Sequence, residues 1–184
     1  MRIRGLIAAG ALALAGCTQG GPLPSGTAAM PLNAGGGPDL TQDEAVALAS
    51  WALKSPANTA GDPGRAARAI AAEDWLAGQT TLYGNFQAYA PSGQPVWVEL
   101  RRQARAAIGV APGATSQEVV SRLMATSDAL AAGETDAAKA QLASPIFTLG
   151  PDGTLRALTN LPSLPGRESA FTELAHNNFF LCGR

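Results

Sequence analysis

The chain has 184 residues, 13 Lys and Arg against 14 Asp and Glu, and a formal net charge of −1. Hydrophobic residues make up 46% and charged residues 15%, which excludes a charge-rich disordered chain. A sequence pI near 5.8 argues against a nucleic-acid partner, which calls for a surplus of Lys and Arg to displace counterions from phosphates. Two cysteines are too few for a disulfide-framework miniprotein, and one histidine leaves little room for a histidine-built metal site.

The chain starts Met1-Arg2-Ile3-Arg4, followed by an apolar run from Gly5 to Ala15 and then Gly16-Cys17. A basic start, a short apolar stretch and small residues at its end describe a secretory signal peptide over residues 1–16. The run falls short of the roughly 20 apolar residues that a spanning helix needs. Its end, Leu14-Ala15-Gly16-Cys17, resembles the lipobox of bacterial lipoproteins, and all four positions match. The resemblance implies cleavage between Gly16 and Cys17, a diacylglyceryl thioether on Cys17, and acylation, as by palmitate, of the new amino group. Two or more chains give stable attachment to a membrane, at about 0.8 kcal/mol per buried CH₂. Thr18, in place of the Asp that favours inner-membrane retention, implies the periplasmic face of the outer membrane in a Gram-negative cell. Removing residues 1–16 takes Arg2 and Arg4 with it and moves the net charge from −1 to −3.

Residues 17–40 hold the candidate lipidated cysteine and a Gly/Pro-rich stretch without apolar periodicity, which reads as a flexible tether. Residues 41–184 read as one all-α domain of six or seven short, Ala-rich helices. Thr41-Gln42-Asp43-Glu44 has the capping-box pattern, with Ala45, Leu48, Ala49 and Ala52 at helical spacing and Pro56 as a stop. Asp62-Pro63 reads as a cap followed by proline in the first turn, opening a helix that carries Ala67, Ala71 and Trp75 to about Gly78. Residues 79–90 are ambiguous, since Tyr83, Phe86 and Tyr89 recur every three residues but Gly84 intervenes. Pro95 opens a helix with Trp97, Leu100, Ala104 and Ile108 inward and Arg101, Arg102 and Arg105 on the other side. Thr115-Ser116-Gln117-Glu118 is a second capping box, before a stripe of Val119, Val120, Leu123, Met124 and Leu130 that ends at Gly133. A short helix over 134–143, with Ala138 and Leu142 inward, then completes a helical hairpin. Residues 146–158 suit either a hairpin turning at Gly150-Pro151-Asp152-Gly153 or a helix, and Leu155, Leu158 and Leu161, three apart, favour the helix. A last helix is expected from about Gly166 to Asn178, with Phe171, Leu174 and Ala175 inward.

Candidate chemistry is sparse. His176 lies seven residues after Ser169, on the same helix face but about 10 Å away at 1.5 Å per residue, too far for a direct hydrogen bond. Ser116 and Ser127 are other candidate partners, but the Gly-x-Ser-x-Gly elbow is missing, so no catalytic residue is assigned. The carboxylate pairs Asp43-Glu44, Glu73-Asp74 and Glu134/Asp136 read as solvated helix faces. No cofactor and no metal site is expected from motif patterns. Trp75, Tyr83, Phe86, Tyr89 and Trp97 gather five of the ten aromatic residues, as core filling or as a ligand-binding platform. Arg101, Arg102 and Arg105 form the basic patch, a solvated face near Glu99 or a surface for anionic lipid head groups. Cys182 is an unpaired thiol if Cys17 is acylated, and a Cys17–Cys182 disulfide is open if it is not. The sequence points to a lipid-anchored envelope protein with a binding or scaffolding domain and an envelope protein partner. The alternatives are a tethered domain for a small ligand or glycan, and a cell-wall hydrolase.

Overall fold

The structure, a computed structural model, describes residues 25–29, 42–80 and 94–168. These residues build six α-helices: α1 (Gln42–Lys54), α2 (Pro63–Gln79), α3 (Gln94–Ala107), α4 (Ser116–Ala131), α5 (Thr135–Leu142) and α6 (Gly150–Thr159), with a single 3₁₀ turn at Pro56–Asn58. The fold of the described residues is all-α, as the periodicity predicts. None of their helices is long and apolar enough to cross a membrane.

Helix α2 is the centre. It packs against α1, α3, α4 and α6, and every residue from Ala69 to Gln79 is buried. Alanine makes this possible: a helix clad in methyl groups lets its neighbours approach from all sides, and alanine carries the best helix propensity. Asp62 caps its start by accepting the Arg65 N–H at 2.8 Å. Ile70, Trp75 and Leu76 of α2 share one core with Trp97, Leu100, Ile108, Val119, Val120, Leu123, Leu142, Phe147 and Leu158 from the surrounding helices and connections.

The expected signals at Asp62, Thr115 and Gly133 operate, while Thr41, expected to cap α1, lies outside the described residues. Thr115 and Glu118 close a reciprocal capping box at α4, which is worth about 1 kcal/mol. Helices α3 and α4 both end on a left-handed glycine, Gly109 (φ 72°) and Gly133 (φ 78°). In each case the next N–H returns to the helix: Val110 N to Arg105 O at 2.8 Å and Glu134 N to Ala129 O at 2.8 Å. The short connection after Gly133 folds α5 back on α4, giving the expected hairpin.

Residues 146–158 divide between the two readings considered. Gly150-Pro151-Asp152-Gly153 is the first turn of α6, with proline in the first turn, where its missing N–H is tolerated. Just before it, Phe147 makes an isolated antiparallel bridge with Val110, fixed by Ala111 N to Ile146 O at 2.8 Å and Thr148 N to Gly109 O at 2.7 Å. The extended pairing is therefore with the loop after α3, not across a local turn.

Candidate functional site

The polar heart of the described fold lies where α2, α3 and the start of α4 meet. Glu73 and Asp74 are adjacent on α2 and both fully buried, which corrects the expectation of a solvated carboxylate face. The reason is that α2 is covered on all sides, so no face of its second half reaches water. Asp74 is paired across the helices with Arg105 in the two-pronged geometry of a guanidinium fork, Nε to Oδ2 at 2.6 Å and Nη2 to Oδ1 at 2.9 Å. Arg105 also donates to the Ala114 carbonyl at 2.9 Å and the Ser116 hydroxyl at 2.9 Å. One turn earlier on α3, Arg101 donates to the same hydroxyl at 3.2 Å.

The expected single basic face is thus split. Arg101 and Arg105 turn inward to the cluster, while Arg102 stays exposed and pairs with Glu99, Nε to Oε2 at 2.7 Å and Nη2 to Oε1 at 2.6 Å. Those hydrogen bonds from Arg102, with a further one from Gln103, pull the Glu99 carboxyl down to about 2.

Glu73 differs from its neighbour. Neither carboxyl oxygen has a hydrogen-bond partner. Burial, reinforced by the adjacent Asp74, pushes its carboxyl well above the ordinary value near 4.5, against the opposing pull of Arg101 and Arg105. Buried without a donor to stabilise its charged form, it favours the protonated acid more than an exposed carboxyl does.

A short segment closes over this cluster. Residues 25–29, expected to belong to a flexible tether, lie packed on the domain. The Ser25 carbonyl accepts the Ser116 N–H at 2.9 Å and the Gly26 carbonyl accepts from Arg101 at 2.8 Å. Ala29 N donates to the Gln117 side chain at 2.8 Å. Thr27 and Ala28 are buried. The segment presses on α2 at Gly78, where a Cβ would come within 2.8 Å of the Gly26 carbonyl oxygen. The helix spends a glycine there because only a missing side chain admits a second backbone so closely. As closed, the cluster offers neither its carboxylates nor its hydroxyl to a dissolved substrate, since Glu73, Asp74 and Ser116 have no exposed surface.

Beside the closed cluster lies an open groove of about 460 Å³. Val98, Ala106, Val110, Ala111 and Pro112 line it together with Arg101, Arg102 and Arg105. Arginine is its one charged residue type, and Arg101 serves both the groove and the Gly26 carbonyl.

Of the residues singled out from sequence, Trp75 and Trp97 are buried in the common core, and other residues line the groove. Tyr83, Phe86, Tyr89, Gly16, Cys17, Ser169, His176 and Cys182 lie outside the described residues, as does most of the expected last helix. Ser127 is buried on α4. Among the described residues no cluster of three His, Cys, Asp or Glu side chains could hold a metal ion. No known protein family, curated protein or solved structure matches the chain.

Proposed function

We propose that this chain is a lipid-anchored protein of the cell envelope whose helical domain binds or scaffolds other envelope components close to the membrane surface. The reading is carried by the four-residue lipobox match at Leu14-Ala15-Gly16-Cys17 behind a basic, apolar leader. Docking of Ser25–Ala29 supports it by shortening the link. Ser25 stands eight residues beyond Cys17, a segment that reaches about 28 Å fully extended and about 15 Å as a coil. On this reading the domain is held at the membrane rather than reaching away from it, and Thr18, in place of the Asp that favours inner-membrane retention, supports the periplasmic face of the outer membrane. Its work there is contact with an envelope protein partner, without catalysis of its own.

The test is Cys17→Ser. Palmitate labelling is lost and the protein leaves the membrane fraction or stalls as the uncleaved form. In-cell crosslinking of the wild type captures an envelope protein that Cys17→Ser captures less. Unchanged labelling and fractionation in Cys17→Ser refutes the anchor, and equal capture by both forms refutes the membrane-proximal role.

A further inference from the structure

We propose that the groove along α3 is a binding site for an anionic phospholipid of the membrane to which the domain is anchored, an inference that rests on the anchored reading above. Three observations converge on it. The floor is apolar, with Val98 exposed and Val110, Ala111 and Pro112 around it, and its volume of about 460 Å³ is within the range of small-ligand sites. Its charged lining consists of Arg101, Arg102 and Arg105, with no carboxylate among the lining residues. A guanidinium matches a phosphate with two parallel donors. Finally, the groove adjoins the point where the anchored segment joins the domain: Arg101 lines the groove and donates to Gly26 at 2.8 Å, nine residues beyond Cys17. The tether thus holds this face of the domain within reach of head groups.

Arg102 is the residue that meets the phosphate. Arg105 is committed to Asp74, and Arg101 to Gly26 and Ser116. Arg102 has a side chain 66% exposed, and its partner Glu99 is 48% exposed. Such a surface pair is weak in water, so a phosphate can displace the Glu99 carboxylate while an acyl chain lies along Val98, Val110 and Pro112. Glu99 then acts as a competitor for the site.

The experiment uses the chain from residue 17 onward bearing Cys17→Ser, which carries no acyl group and keeps every described residue. It is floated with vesicles of equimolar phosphatidylglycerol and phosphatidylcholine, or of phosphatidylcholine alone. The protein floats with the first and not the second, and salt weakens the association. Arg102→Gln lowers it about five-fold, the scale of one basic residue at an anionic surface. Glu99→Gln raises it by a similar factor, a direction that a structural defect would not produce. Both positions are exposed, so both variants fold. Equal flotation with the two vesicles overturns the proposal, as does a shift of both variants in the same direction. Binding to a polyglutamate peptide without flotation also overturns it, and makes the occupant an acidic protein segment. Because this chain is unacylated, failure here with wild-type palmitate labelling intact sinks the groove and leaves the anchor. Flotation with labelling absent does the reverse.

Discussion

Replacing Glu73 by glutamine probes the buried acid directly. In the fold its carboxyl is raised well above the ordinary value near 4.5, chiefly by burial. Between those two values the folded chain holds the proton and the unfolded chain has released it. The unfolded state then binds fewer protons, so stability falls as pH rises, by about 1.4 kcal/mol per pH unit for one proton. Below the ordinary value both states are protonated and this dependence vanishes. Glutamine cannot ionise, so Glu73→Gln removes the slope. Its buried amide lacks partners as the acid does, which leaves the two proteins within about 1–3 kcal/mol of each other at low pH. Urea unfolding at a series of pH values above 4.5 measures the effect: wild type loses stability steadily relative to the variant. Asp74, Arg101 and Arg105 are the charged groups acting on Glu73, and all three are retained. Parallel pH profiles for the two proteins would refute the reasoning, because they would mean that Glu73 ionises within the fold without penalty.

Two further substitutions test the closed cluster. Asp74→Asn leaves Arg105 without its carboxylate in a site where the pair is 0% and 15% exposed. It costs about 3–5 kcal/mol of stability in urea unfolding, and a loss under about 1 kcal/mol would mean that water reaches the pair. Gly78→Ala places a Cβ at 2.8 Å from the Gly26 carbonyl oxygen. It raises the rate of limited proteolysis within residues 25–29 while the helical circular dichroism is kept, and unchanged cleavage would refute the close approach.

Much of the helical architecture could be read from local signals. The Thr115–Glu118 box, the Asp62-Pro63 start and the glycine stop at Gly133 are each set by chemistry within a few residues, and so they were visible. The inward stripe of Trp97, Leu100, Ala104 and Ile108 was visible for the same reason, through helical periodicity. The buried cluster was not, because Asp74 and Arg105 are 31 residues apart and periodicity carries no record of which helix lies opposite. Charged neighbours on an Ala-rich helix look like a solvated face until the surrounding helices are in place. A signal did exist: Arg101 and Arg105, one turn apart on α3, lie on its flank while Glu99 serves Arg102. Gly78, near the end of an otherwise alanine-clad helix, was the sequence trace of the docked segment, but nothing in residues 25–29 themselves named their partner.

The docked segment also fixes an order of events during synthesis. Gly26 waits for Arg101, 75 residues on, and Ala29 waits for Gln117, 88 residues on. A chain made from its amino end produces these five residues early, yet they find their seat only after α2, α3 and the start of α4 have met. Contacts of such separation form late because the intervening loop must close first. The first part of the described chain to be made is thus among the last to settle.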